Sequence, residues 1–211
     1  MIDGLMGLLH TLYDVQGIIE WGGLLLICAI IFAETGLFLG FFLPGDSLLV
    51  TAGIFAATGY FDLWPLLLFA TLCALAGNQL NYHIGHKAGK VLYKREDSFF
   101  FRKKHLRKAH AFYDKHGPKT IVICRFIPIV RTFAPTVAGI ASMSYKKFTF
   151  YNIIGGIFWV LLTVLGGYFL GRAIPNVEEY LHLIIGIIIL TSFIPIIYGY
   201  LKGRKKKAGQ G

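Results

Sequence analysis

The sequence predicts an all-α membrane protein: an inverted repeat of two re-entrant helical hairpins, each followed by a transmembrane helix, with one more transmembrane helix near the C-terminus. Three observations carry this prediction. Of the 211 residues 55% are AVILMFWYC and only 15% are charged, against about 25% charged in soluble domains. The 21 Lys and Arg are placed asymmetrically, the first being Lys87. Shifting the chain by 86 residues lays its second half over its first.

The net charge of +10 would, in a soluble protein, suggest nucleic acid as partner. Its placement removes that reading. Eighteen basic residues fall in three groups, 87–119, Lys146-Lys147 and Lys202 to Lys207. Each group flanks an apolar segment, and Lys/Arg bias of this kind marks the cytoplasmic side of a membrane.

Taken in order, residues 1–20 have neither a basic leader region nor a small-residue cleavage pattern. They are read as an interfacial N-terminal helix rather than a signal peptide. Residues 22–61 carry only Glu34 and Asp46 as charges and break at Pro44-Gly45, which suggests a first re-entrant hairpin. A full crossing by its first arm, 22–43, stays open. Residues 63–86, 148–171 and 181–201 are free of formal charge and reach the ~20 positions that cross a ~30 Å hydrocarbon core; they are read as transmembrane helices. Between them, 87–119 is a basic cytoplasmic segment whose Leu106, Ala109 or His110, and Tyr113 recur at helical spacing, as in an interfacial amphipathic helix. Residues 120–145 are apolar but interrupted by Arg125, Pro128, Arg131 and Pro135, with basic flanks on both sides. A second re-entrant hairpin fits, its break formed by Pro128, Pro135 and Gly139. Residues 202–211 form a basic cytoplasmic tail.

The internal match runs from Ala52-Gly53-Ile54 over Ala138-Gly139-Ile140 to Tyr82 and Gly85 over Tyr168 and Gly171. Its weight is positional, because both copies place a charged, proline-broken segment before the Ala-Gly-Ile step and a long helix after it. The charge bias sends the first long helix inward and the second outward. Inverted repeats with interrupted segments meeting near the midplane are the pattern of secondary transporters.

Four ionisable side chains thus lie in apolar sequence, Glu34 and Asp46 in the first hairpin and Arg125 and Arg131 in the second. Each costs at least ~2.5–3.5 kcal/mol at a helix centre. They are either a pair of salt bridges that pin the hairpins or a working site. A carboxyl group held away from water can exchange protons near neutral pH, while arginine stays charged and offers a planar fork to phosphate. Acids for protons and arginines for an anion is the division these residue types suggest. Asn78, Asn81, Tyr82, Asn152 and Trp159 are candidates either to line the cavity or to bond between helices.

The segments Glu34-Thr-Gly-Leu-Phe-Leu-Gly-Phe-Phe-Leu-Pro-Gly-Asp46-Ser-Leu-Leu and Arg125-Phe-Ile-Pro-x-x-Arg131-x-x-x-Pro135-x-x-Ala-Gly139-x-x-x-Met143, followed by Phe148, Asn152, Gly155 and Trp159, resemble the DedA family, also called the VTT or SNARE-associated domain family. The resemblance covers roughly residues 20 to 172. It implies a bacterial inner-membrane protein with two facing re-entrant hairpins, tied to proton-motive force, envelope integrity and resistance to cationic compounds. It further implies translocation of lipids such as undecaprenyl phosphate or phosphatidylethanolamine, with scrambling among eukaryotic relatives. The family's essential acids would fall on Glu34 and Asp46, and its essential arginines on Arg125 and Arg131.

The expected function is a proton-coupled flippase of a phosphate-bearing lipid, with membrane lipids and protons as partners and with no nucleic acid, no cofactor and no metal. Cys28, Cys73 and Cys124 lack CxxC spacing and read as small core residues. His83 and His86 lie one turn apart without an evident third ligand. Trp21, Trp64 and Tyr60 read as interface anchors. A lipid phosphatase would need a nucleophile or base beside the arginines, which the sequence does not place there. An uncoupled scramblase or a structural membrane protein is the third reading. Two re-entrant hairpins leave the N-terminus outside, so an Asp3→Cys variant in a cysteine-free background is expected to react with an impermeant maleimide from the outer face. Labelling from the cytoplasmic face alone would make the first arm a full span.

Overall fold

The computed structural model describes residues 15–37, 45–94, 113 and 119–174. Among them there are helices and turns but no strand. The expected C-terminal span 181–201, the basic tail 202–211, Pro44, and residues 1–14 of the N-terminal helix lie outside the described residues, as does all of 95–118 except Tyr113.

Among the described residues six helices follow one another. Helix α1, Val15–Gly36, breaks at Gly23, whose φ of 52° and ψ of −149° lie in a region open chiefly to glycine. The 15-residue arm Gly22–Gly36 is about 22 Å long at 1.5 Å per residue. Helix α2 is Gly45–Ala57, α3 is Leu63–Lys94, α4 is Thr120–Cys124, α5 is Pro128–Ile140 and α6 is Tyr145–Ala173. Only α3 and α6 among these are long and apolar enough to cross a membrane. At 13 residues each, α2 and α5 reach about 20 Å, well short of a ~30 Å core.

Local chemistry sets the boundaries. Ile127 precedes a proline, which disfavours the α region at that residue; it is extended at φ −113° and ψ 107°, and Pro128 then opens α5 at its first turn. The first arm of this hairpin is the five-residue α4, shorter than the sequence suggests, because the chain turns at Arg125 and Phe126. Pro135, expected as a break, instead lies inside α5, and Gly139 falls in its last turn. A proline there removes one backbone donor. The carbonyls around it are engaged from outside: Thr132 accepts from Asn81 Nδ2 at 2.9 Å, and Ala134 accepts from the Tyr113 hydroxyl at 2.9 Å. Helix α3 also runs eight residues past the expected end at His86, into the basic segment.

The helices interlock crosswise. Helix α2 packs on α6, and helix α5 packs on α3. Both contacts are made through glycine. A Cβ on Gly53 would strike the Val164 carbonyl of α6, and one on Gly167 would strike the Val50 carbonyl of α2. In the other pair Gly139 faces the Tyr82 carbonyl, Gly85 faces the Thr136 carbonyl, and a Cβ on Gly89 would come 3.0 Å from Ile140. Gaps this small bring backbones together where lipid tails offer no hydrophobic drive between helices. A main core forms from α1, α2, α3 and α6 around Ile31, Leu48, Ala70 and Val160, and a second one around Tyr82, Tyr113, Ala138 and Phe148. The outer face of α6 stays apolar and exposed, with Phe150, Phe158 and Leu162.

One polar staple crosses this packing. Asn81 on α3 donates to the Thr35 carbonyl of α1 at 3.0 Å and to the Thr132 carbonyl of α5 at 2.9 Å, while its oxygen accepts from Thr136. Replacing it by leucine removes these hydrogen bonds between α1, α3 and α5, worth about 0.5–1.5 kcal/mol each. Asn81→Leu is therefore expected to lower the thermal denaturation midpoint in detergent. Overpacking costs about 1–3 kcal/mol, so Gly53→Leu and Gly139→Leu are expected to lower it as well. Gly166, whose added Cβ meets nothing within 4 Å, should tolerate leucine. Equal effects at all three glycines would contradict the crosswise packing.

Candidate functional site

The site lies where α1 and α5 end and begin against the middles of α3 and α6. Glu34 stands in the last turn of α1 and is 1% exposed. Asp46 is in the first turn of α2, where the positive end of the helix dipole favours an acid. Arg131 projects from the first turn of α5 and bridges the two. Its Nη1 donates to Asp46 Oδ1 at 2.6 Å, and its Nη2 donates to Glu34 Oε1. Each edge of the guanidinium thus carries one carboxylate, and both come from the first half of the chain.

Arg125 is held differently. It is 3% exposed and has no carboxylate within salt-bridge distance among the described residues. Nη1 donates to the Asn152 carbonyl at 3.1 Å and to its side-chain oxygen at 2.9 Å, and Nη2 donates to the Ala74 carbonyl at 3.4 Å. With its amide oxygen turned toward Arg125, Asn78 accepts from Nη2 at 3.0 Å. A buried cation here is solvated by neutral oxygens of α3 and α6, which fix it in the framework. Gly156 and Gly155 give it room, since a Cβ on Gly156 would come 3.1 Å from Nη1.

Trp159 on α6 joins the two arginines to the acids. Its Nε1 donates to Asp46 Oδ1 at 2.9 Å. The Arg131 and Arg125 guanidinium carbons lie 5.1 Å and 5.7 Å from its ring centroid, within cation–π range. Glu34, Thr35, Asn78, Arg125, Arg131, Thr132 and Trp159 line a cavity that admits about one water. With Asp46 beside this lining, the four formal charges of the site sum to zero. Both terminal nitrogens of Arg131 already carry a carboxylate, and a phosphate group needs more room than one water, so an anion would enter by exchange.

Of the residues singled out in the sequence, Glu34, Asp46, Arg125, Arg131, Asn78, Asn152 and Trp159 come together here. Asn81 lies beside the site as the staple between hairpins. Tyr82 is elsewhere, stacked on Phe148 at 4.4 Å with its hydroxyl on the Met143 carbonyl. Gly45 starts α2, Pro128 starts α5, and Pro135 and Gly139 lie within α5. His83 Nδ1 bonds the Gln79 carbonyl at 2.7 Å and His86 stacks on Tyr82. No group of three or more His, Cys, Asp or Glu among the described residues is placed to hold a metal. Sequence reasoning passed over Thr35 and Thr132, the chain neighbours of Glu34 and Arg131. It also passed over Gly45 as a contact of Glu34. The helical spacing of Asn78, Asn81 and Gly85 was the one signal that a single face of α3 meets both hairpins.

Comparison with known proteins agrees with the resemblance read from these residues. The VTT domain model matches residues 43–169. Protein DedA of Escherichia coli K12 is 44% identical over 181 residues, covering 85% of this chain and 82% of the relative. An uncharacterized membrane protein of Mycobacterium leprae is 40% identical over 179 residues, 85% of this chain and 80% of the relative. Inner membrane protein YqjA of E. coli K12 is 32% identical over 170 residues, 81% of this chain and 77% of the relative. No solved structure matches the chain. With the VTT domain across its centre and DedA matched over most of both lengths, this chain belongs to the DedA family of membrane proteins.

Proposed function

We propose that this protein is a proton-coupled translocator of a phosphate-bearing lipid, undecaprenyl phosphate or a phospholipid, across the bacterial cytoplasmic membrane, in support of envelope integrity. The observation that carries the reading is the double occupancy of Arg131 by Glu34 and Asp46. Two carboxylates on one guanidinium take the positions that two phosphate oxygens would take. When protons neutralise the acids, Arg131 loses its partners and the cleft acquires net positive charge. A lipid phosphate restores the balance. When the acids ionise again they reclaim Arg131 and the phosphate departs.

The roles divide between the charged groups. Asp46 is the more accessible acid, with a side chain 24% exposed against 1% for Glu34, so it exchanges protons with the outer side first. Arg131 changes partners. Arg125, bound by framework oxygens, supplies a fixed positive charge beside the phosphate. Trp159 keeps Asp46 and both guanidinium groups on one surface through the exchange.

Other observations support the membrane arrangement. The short lengths of α1 after Gly23, α2 and α5 favour re-entrant hairpins over full spans. The crosswise glycine contacts of α2 with α6 and α5 with α3 favour an inverted repeat, since Val50 and Ile54 of one pair stand 86 residues before Thr136 and Ile140 of the other. The basic groups favour a cytoplasmic placement of 87–119 and of the C-terminal tail. The inner-membrane relative YqjA favours the cytoplasmic membrane as location.

In proteoliposomes carrying a labelled undecaprenyl phosphate analogue, the wild-type protein is expected to move the lipid faster under an imposed pH gradient than without one. Glu34→Gln removes that response, and Arg131→Ala lowers movement by at least about tenfold, the effect of losing a charge-assisted bidentate contact worth roughly 1.5–3 kcal/mol. The closed cleft also suits a purely structural pair that pins the hairpins. In that case both variants lower thermal stability and leave lipid movement at the wild-type rate, and that result would refute the translocator.

A further inference from the structure

The Glu34 carboxylate has two unlike oxygens. Oε1 accepts from Arg131. Oε2 is buried without a hydrogen-bond partner and lies against Gly45, where a Cβ would collide with it. Gly45 is the first residue of α2, a helix of 13 residues. The first turn of any helix leaves four backbone N–H groups without intrahelical acceptors and carries the positive end of its dipole. A buried acid is thus set between a guanidinium and a helix N-terminus, with one oxygen directed at that terminus and bonded to nothing there.

We infer that the place of the Glu34 carboxylate, between Arg131 and the α2 N-terminus, is the subsite of a phosphate group, with Glu34 as its built-in competitor and Gly45 as the residue whose missing side chain makes the room. The inference rests on the phosphate-lipid reading above and assigns the position at which the phosphate sits. Three features of the site converge on it. The chemistry of the pocket, a guanidinium facing a helix N-terminus, is that of phosphate sites. A carboxylate already occupies it as a tethered anion. The remaining cavity admits about one water, so phosphate and carboxylate exclude one another by volume as well as by charge. Exclusion of this kind ties lipid entry to the withdrawal of Glu34. An alanine at position 45 puts a methyl group where Oε2 now lies and closes the place to either occupant.

The test uses the purified full-length protein in detergent micelles, with farnesyl phosphate and inorganic phosphate as probes and calorimetric titration as readout. Glu34→Ala empties the subsite and is expected to bind farnesyl phosphate at least about tenfold more tightly than wild type, even though its proton-driven transport is lost. Adding Gly45→Ala to that variant is expected to abolish the gain. This double variant lacks the carboxylate with which the methyl would collide, so it reads the subsite even where Gly45→Ala alone fails to fold. A gain confined to farnesyl phosphate identifies a lipid headgroup as occupant, and an equal gain with inorganic phosphate identifies the free anion; both support the subsite. If Arg131→Ala abolishes binding but Glu34→Ala brings no gain, or Gly45→Ala leaves the gain intact, the subsite is wrong while the phosphate-lipid reading stands. If neither wild type nor Glu34→Ala binds either probe, both are wrong.

Discussion

Everything in this protein turns on placing Arg131 in an apolar bundle with a carboxylate on each edge. A lone buried cation is costly, and where Arg125 is kept by neutral oxygens, Arg131 is kept by acids. Glu34 and Asp46 lie 97 and 85 residues away in sequence, so the contact ties the two halves together.

Around this exchangeable contact stands a framework of fixed ones. Arg125 gives its Nη donors to neutral oxygens of α3 and α6. Asn81 ties the carbonyl of Thr35, next to Glu34, to that of Thr132, next to Arg131. Both of these Asn81 bonds lie one residue from the acid–arginine contact. Backbones brought close at Gly53, Gly85, Gly139 and Gly167 pack α2 on α6 and α5 on α3 around it. On the proposed reading this frame stays fixed while protons open one contact, as coupling a proton to an anion would require.

Much of this was legible in the sequence, for physical reasons. Charges inside apolar runs are rare enough that Glu34, Asp46, Arg125 and Arg131 stood out individually, and uninterrupted apolar length separated α3 and α6 from the shorter arms. The pairing was not legible. Nothing in the order of residues says that Arg131 takes both acids and Arg125 takes none, because that depends on Asn152, Asn78 and the Ala74 carbonyl converging from two helices. Pro135 misled for a similar reason. Local propensity reads it as a break, yet α5 continues through it, with Asn81 and Tyr113, from distant parts of the chain, bonded to the carbonyls of Thr132 and Ala134 beside it. Gly45 was visible only as a breaker; its role beside Glu34 needed the fold.

On the proposed reading, the carboxylates of Glu34 and Asp46 compete with a lipid phosphate for one arginine, and protons decide the outcome by neutralising the acids, with the charges in the cleft kept in balance. In the described state two acids and two arginines cancel. Entry of a phosphate should therefore be matched by proton uptake, about one proton per negative charge admitted, as linkage requires when the bound state holds more protons. The most direct measurement is proton uptake on adding a short-chain phospho-lipid to the purified protein in weakly buffered micelles. The account predicts uptake that saturates with lipid binding and disappears in a Glu34→Gln/Asp46→Asn variant that still binds the lipid. Saturable binding to the wild-type protein with no proton uptake would contradict it.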